Sequence, residues 1–371
     1  MQPILPILTQ AKLSCPISDS IGAPPGTLVP HPEAKPPVVT VMAYNMDQIV
    51  EETITDLGTI PEYLKKYDVT WINVEGLGDV GAIENIGSLL GIHVLALEDV
   101  IGGHQRAKAE EYDDHLFVVI RMVGIDEDFV SEQVSLFLGH KYVVTFQEIP
   151  GDCLEPVRDR LRKPSGKIRE RGSGYLAYTL VDAVIDGYFP VLESIGERLE
   201  ILEDEMVERP DRKIIGAIHD VKRQLLTLRR TAWPLREVVN SLMREQSKFI
   251  DDYTRMYLRD CYDHAIQVID LVENYREVAT SLMDVFLSSM SNKMNEVMQV
   301  LTVIATIFMP LTFVVGIYGM NFNTSASALN MPELNWKYGY VFIWVVMLMI
   351  AGGMMAYFRS KGWFGGGGPK E

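Results

Sequence analysis

The sequence predicts an α/β domain followed by a long helical stalk and two membrane-crossing helices, and three observations carry that prediction. Apolar runs rich in β-branched residues alternate with helical patterns from Val38 to about residue 150. Beyond Pro150 the strand-like runs stop and helical periodicity takes over. After Glu296 the chain carries no charge until Glu333, and residues 338–358 form a second uncharged segment between Lys337 and Arg359. Each is long enough for a bilayer core, which takes about 20 apolar residues.

Taken in order, residues 1–37 read as a flexible arm, with Pro24, Pro25, Pro30, Pro32, Pro36 and Pro37 crowding its second half. Residues 38–150 form the α/β domain. Strands are expected at 38–43, 69–74, 116–123, 133–138 and 142–147, and helices at 50–66, interrupted at Pro61, and 80–90. Residues 151–250 are helical. A helix over 175–208 is expected to kink or break at Pro190, and Asp211 caps another over 212–249 with a break at Pro234. The stalk occupies 251–296 and runs into the first span, 297–317; read to Gly316, it extends about 100 Å at 1.5 Å per residue. An outer loop, 318–337, leads to the second span, 338–358, and a tail, 359–371, with four consecutive glycines from Gly365. A large N-terminal domain without a signal peptide, together with Lys293, Arg359 and Lys361 beside the spans, puts both termini in the cytoplasm and the loop outside.

Composition narrows the function. A formal net charge of −16 argues against nucleic acid as a partner and suits a protein that gathers cations. Three scattered cysteines form no disulfide framework or zinc knuckle, and seven histidines show no paired ligand spacing. No phosphate loop for ATP is present, and no nucleophile–base pair or metal-ligand cluster stands out as an enzyme site.

The first span is not uniformly apolar. Steps of three and four pick out Ser281, Asp284, Ser288, Ser291, Asn295, Met298, Thr302, Ala305, Met309, Thr312 and Gly316 on one helix face, while Val297, Leu301, Ile304, Phe308, Leu311 and Val315 beside it are large and apolar. Two readings stand side by side. Small and hydroxyl residues at this spacing form helix–helix contacts, and they also line pores. Asp284 and Asn295 are poor packing residues, which favours the pore.

At the outer end of that helix stands Tyr318-Gly319-Met320-Asn321, followed by Met331-Pro332-Glu333-Leu334. The segment SNKMNEVMQVLTVIATIFMPLTFVVGIYGMNF, residues 291–322, resembles the first membrane helix and GMN signature of the CorA family of divalent-cation transporters. Further likeness lies in Thr70-Trp71-Ile72-Asn73, Leu97-Glu98-Asp99, His104-Gln105-Arg106, Ser131-Glu132-Gln133-Val134, Thr145-Phe146-Gln147 and Trp233-Pro234-Leu235-Arg236, so that the resemblance covers roughly residues 38–361. Three features depart from it: Ala107 where the family often has Pro, an insert-like polar run at 323–330, and a tail with Arg359 and Lys361 but no longer basic cluster.

The resemblance implies a funnel-shaped homopentamer in the plasma membrane that passes Mg²⁺, with Co²⁺ and Ni²⁺ as alternatives, without ATP. A family member devoted to Zn²⁺ and a two-span membrane sensor remain as other readings. The implied filter is Gly319, Met320 and Asn321; the helix C-cap is the ordinary reading of Asn321. The implied pore lining is Asp284, Asn295, Met298, Leu301, Thr302, Ala305, Met309, Thr312 and Gly316, which read otherwise as bundle core or, for Asp284, a solvated stalk position. Glu98, Asp99 and Asp260 match family positions that hold regulatory Mg²⁺ between subunits, against the plain reading of solvated surface acids.

Overall fold

A computed structural model describes residues 24–125, 129–163, 167–208, 211–325, 327 and 329–363. Contacts divide the chain into two units, Met1–Leu282 and Met283–Glu371.

The first unit is built on a seven-stranded mixed sheet. Its strands are Val38–Tyr44 (β1), Ile49–Ile54 (β2), Val69–Glu75 (β3), Lys108–Glu111 (β4), Leu116–Ile125 (β5), Phe129–Leu138 (β6) and Tyr142–Gln147 (β7), in the spatial order β2-β1-β3-β7-β6-β5-β4. Only β3 and β7 pair in parallel, with Ile72 opposite Val144. Both lie at the centre and are buried almost throughout, which is why they read as continuous apolar runs.

Helices cover both faces. Ile60–Lys66 (α1), Val80–Leu90 (α2) and Val94–Gly102 (α3) bring Ile60, Ile83, Ile86, Leu97 and Val100 onto Val41, Ile72, Phe117, Phe137 and Val144. On the opposite face Val118, Leu136 and Leu138 meet Ala177, Tyr178 and Val181. Those three belong to Ser173–Asp186 (α5), which follows Glu155–Arg162 (α4). Then come Tyr188–Glu208 (α6), Arg212–Arg244 (α7) and Asp252–Tyr318 (α8), the last common to both units. The second unit adds a 3₁₀ turn, Pro332–Asn335, and Gly339–Ser360 (α9).

Several expectations are corrected. Residues 50–66 are not one helix: Ile49–Ile54 pairs antiparallel with β1, placing Thr53 opposite Thr40. This is an edge strand whose Glu51 and Glu52 face outward, so its charges hide the β-branched signal of Val50, Thr53 and Ile54. Asp56 then caps a turn through the Gly58 N–H (2.9 Å), and Pro61 starts α1 instead of interrupting it. The break expected at Pro190 falls at Gly187; Pro190 lies in the first turn of α6, where a missing N–H loses no bond. α7 runs unbroken through Pro234, held by the buried Leu228, Ala232, Leu235, Val238 and Val239. α8 likewise continues through Pro310. The elements α3 and β4 have no counterpart in the sequence reading, and α4 falls in the stretch 151–250 expected to be helical. The Asp211 cap is present and accepts the Lys213 N–H.

Of the arm, residues 1–23 lie outside the described residues. Residues 24–37 lie against the domain: the Gly26 N–H donates to Glu98 Oε2 (2.7 Å) and the Gly78 N–H to the Lys35 carbonyl (2.8 Å). The approach is so close that a Cβ on Gly78 would stand 2.5 Å from the Ala34 carbonyl oxygen. Of the tail, residues 364–371 are outside the described residues.

A buried polar chain joins the two central strands to α4. Trp71 Nε1 donates to Thr145 Oγ1 (2.9 Å), Thr145 Oγ1 to Asn73 Oδ1 (2.6 Å), and Gln147 Nε2 to both Asn73 Oδ1 and Asp152 Oδ2 (3.0 Å each). Arg158 closes it with two bonds to Asp152, 2.7 and 2.6 Å, while stacking on Trp71. Burial pushes the Asp152 pKa up, and Arg158 more than reverses the shift.

Glu132 on β6 has no such partner. Its Oε1 accepts the Ile149 N–H (2.9 Å), and Oε2 is unbonded among the described residues. Burial pushes its pKa up to about 8; the Ile149 N–H opposes the shift and the charge of Glu148 adds to it. The folded chain therefore keeps a proton at pH 7 that the unfolded chain has released, and stability falls as pH rises from 4.5 toward 8. Glu132→Gln is expected to stabilise the protein at pH 7 by on the order of 2 kcal/mol. Comparing thermal unfolding of variant and wild type at pH 7 and below pH 4.5 checks this, because the gain disappears at the lower pH.

Candidate functional site

In the second unit α8 presents distinct faces. Its less exposed positions, Gln299, Val303, Ile307, Pro310, Leu311, Val314 and Tyr318, recur at helical spacing, and Gln299 Nε2 donates to the Trp363 carbonyl just past α9 (3.3 Å). That face turns toward the rest of its own chain. Asp284, Asn295, Met298, Leu301, Thr302, Ala305, Met309, Thr312 and Gly316 lie off it, all exposed. Thr302 Oγ1 donates to the Met298 carbonyl (2.7 Å), the usual back-bond of a helical hydroxyl, leaving its lone pairs outward. The apolar neighbours Val297, Ile304 and Phe308 are exposed too. The chain thus leaves both its polar stripe and its apolar flank uncovered.

α8 ends at Tyr318, and the chain closes it with bonds from the Gly319 N–H to the Val315 carbonyl (2.8 Å) and from the Met320 N–H to the Ile317 carbonyl (3.2 Å). Gly319 does not adopt the left-handed conformation of a helix-stop glycine. Its small size matters instead, because a Cβ there would stand 3.2 Å from the Val315 oxygen. The Asn321 side chain is exposed and bonds to nothing among the described residues, so it is not acting as a cap. Beyond it Asn323 Oδ1 accepts the Ser325 N–H (2.9 Å) and hydroxyl (2.7 Å), and Asn330 Nδ2 donates to the Asn323 carbonyl (2.8 Å). The insert-like run folds back on itself.

In the first unit neither Glu98 nor Asp99 contacts Asp260 among the described residues. Glu98 holds the Gly26 N–H. Asp99 accepts Gln105 Nε2 through Oδ1 (2.7 Å) and Lys108 Nζ through Oδ2 (2.8 Å). Asp260 is exposed on α8. One turn further on, His264 Nδ1 stands 3.6 Å from Asp186 Oδ1, and donor atoms of Asp182, Asp186 and His264 all lie within 4.8 Å of one another. Burial pushes Asp186 up, with His264 opposing the shift and the charge of Asp260 adding to it.

The family described as CorA-like Mg²⁺ transporter protein matches residues 66–360. A cobalt/magnesium transport protein CorA of Thermotoga maritima is 44% identical over 351 residues, covering 94% of this chain and 98% of its own. The chain belongs to the CorA-like Mg²⁺ transporter family. The complete structure of the CorA magnesium transporter from Methanocaldococcus jannaschii shares the fold, with a TM-score of 0.74 at 24% identity over 88% of this chain and 99% of that one. A zinc transport protein, ZntB, of Yersinia pseudotuberculosis is more distant, 22% identical over 60% of this chain and 68% of its own. The CorA-like family is one of transporters, not an enzyme class.

Sequence reasoning missed the partners of the acids. Asp182 and Asp186 sit one turn apart on α5, as do Asp260 and His264 on α8, but nothing in the sequence brings the two helices together. The metal-ligand spacing absent along the chain therefore exists in space. Gln105 and Lys108 lie beside the His104-Gln105-Arg106 segment, and only the fold turns them back onto α3.

A stripe that faces water separates from a flank that faces lipid or protein by chemical access. Cysteine placed at Thr302, Ala305 or Thr312 is expected to react readily with a soluble thiol reagent in membranes, and cysteine at Ile304 or Leu311 much more slowly. Equal rates on both faces would exclude a water-filled path along α8.

Proposed function

We propose that the protein is a homopentameric, channel-like Mg²⁺ transporter that also passes Co²⁺ and Ni²⁺, with both termini in the cytoplasm. The observation that carries this reading is the exposed polar stripe of α8, ending in an Asn321 amide with no partner among the described residues. Two spans cannot enclose a pore, so copies of α8 must do so together. The name of the 44% identical relative favours magnesium and cobalt over zinc.

Mg²⁺ releases its water reluctantly. Asn321 amides around an axis, with Gly319 carbonyls and Met320 beside them, would accept hydrogen bonds from the hydrated ion instead of stripping it. Thr312, Thr302 and Asn295 would supply polar rungs, Met309, Met298 and Leu301 dewetting constrictions, and Ala305 and Gly316 the room between them. Asp284 would form a carboxylate ring that concentrates cations. An inside-negative potential would drive the ion inward by about 4.6 kcal/mol per 100 mV, without ATP.

Regulation would come from Asp99 of one subunit facing Asp260 of the next, with Glu98 adjoining. Mg²⁺ between them would screen their repulsion and hold the pore shut, closing the ion's own path. The affinity would be weak, since Mg²⁺ sites usually keep several waters and use few carboxylates.

Vesicles reconstituted with the purified protein and tested side by side with Mg²⁺, Co²⁺, Ni²⁺ and Zn²⁺ decide the reading. Flux of the first three supports it, flux of Zn²⁺ alone moves the protein to the zinc branch, and no flux leaves the two-span sensor. In the same assay Asn321→Ala is expected to abolish Mg²⁺ flux while assembly is unchanged by size-exclusion chromatography. Asp99→Lys combined with Asp260→Lys is expected to remove the protection from proteolysis that millimolar-range Mg²⁺ (roughly, for a water-rich site) gives wild type. Retained protection would locate regulation elsewhere.

A further inference from the structure

We infer that Lys108 is a built-in competitor for the cation site at Asp99 and sets the Mg²⁺ concentration at which that site fills. This rests on the regulatory reading proposed above and adds to it a residue of the same subunit.

Both carboxylate oxygens of Asp99 already accept a bond from their own chain. Oδ1 is taken by Gln105 Nε2 (2.7 Å) and Oδ2 by Lys108 Nζ (2.8 Å). Gln105 is pinned, its N–H donating to Gln133 Oε1 (2.9 Å) while Gln133 Nε2 donates back to the Asp99 carbonyl (2.8 Å), and Lys108 is held as the first residue of β4. Neither donor drifts away for lack of anchorage. The two differ in kind, however. Gln105 is neutral and can coexist with a cation whose waters reach the other oxygen. Lys108 brings a full positive charge to the oxygen an incoming divalent ion needs, so the two compete.

The ammonium also has somewhere to go. Lys108 Nζ lies 2.9 Å from each oxygen of Glu110 and stands over the Phe117 ring at 5.4 Å. A lysine ammonium carries its charge throughout the neutral range, so the competitor arrives as a full cation. When Mg²⁺ arrives, Lys108 can release Asp99 and keep Glu110 without leaving the surface it packs on. The Lys108 and Asp99 side chains are 27% and 24% exposed, open enough for exchange with solvent ions. The bond therefore works as an equilibrium against Mg²⁺, and its strength adds directly to the concentration required.

The test uses the full-length protein and follows the Mg²⁺ concentration giving half-maximal protection from proteolysis, with half-maximal inhibition of vesicle flux as a second readout. Lys108→Met, which keeps the stem over Phe117 and removes the charge, is expected to lower that concentration about three- to fivefold, the size of one ion pair near a protein surface. Lys108→Arg, which keeps the charge, is expected to stay within about twofold of wild type on the same scale. A loosened loop would shift the midpoint the other way, so a rise in Lys108→Met overturns the inference, as does an unchanged midpoint. Should Lys108→Met fail to assemble, Lys108→Gln carries the same expectation. Asp99→Lys separates the two levels of argument. If it abolishes protection while neutralising Lys108 changes nothing, the site stands and the competitor does not; if Asp99→Lys also changes nothing, the regulatory reading itself fails.

Discussion

In hydrocarbon an amide or hydroxyl without a partner costs roughly several kcal/mol, and α8 carries a row of polar positions, from Asn295 through Thr302 to Thr312, that its own chain leaves uncovered. Thr302 satisfies its proton within the helix; Asn295 and Asn321, just beyond the two ends of the span, have no side-chain partner among the described residues. The face toward Val303 and Val314 is already used inside the second unit. Large apolar residues such as Phe308 and Phe313 occupy the remaining directions. An environment that is wet on one side and greasy on the others resolves all three at once. The family to which the chain belongs is one of membrane transporters, and the proposed oligomer is the arrangement in which each face of α8 meets the medium it suits.

The first unit handles charge in a graded way. Asp152 is held by a guanidinium in a side-chain environment only 2% exposed, a pair that solvent ions do not reach. Asp99 is held by an ammonium at 24% exposure, and Asp186 faces an imidazole at 57%. The partner passes from guanidinium to ammonium to imidazole as the carboxylate becomes more exposed. A chain with a net charge of −16 needs its strongest cation where repulsion would open the core, and it leaves exchangeable cations where divalent ions have access. Buried and exposed carboxylates are distinguished here by what neutralises them, not by their own chemistry.

Most of the fold was legible wherever one periodicity governed a segment. β7 and α2 matched the sequence expectation because their apolar runs are uninterrupted and bounded by turn residues. β2 was misread as helix because an edge strand carries polar residues that blur the alternation, and α7 was expected to break because tertiary packing across Pro234 leaves no trace in a local window. The polar face of α8 was readable in full, since it depends on spacing within one helix. The surroundings of Asp99 and Asp260 were not. Those depend on Lys108 folding back from β4 onto α3, and on Asp182 of α5 meeting Cys261 of α8, 79 positions later, long-range facts to which a single sequence gives no spacing.

Pro310 gives the long helix a mechanical character that its length alone would not. Proline has no N–H, so the carbonyl of Thr306, one turn earlier, lacks its helical donor while the ladder continues on either side. A rod of uniform stiffness would carry a twist or tilt along its whole length unchanged. One missing rung makes a compliant joint next to Met309 and Thr312, so that a torque applied at one end is concentrated there as a change in bend. Met309 and Thr312, on either side of that joint, can then shift relative to one another without the rest of the helix having to unwind.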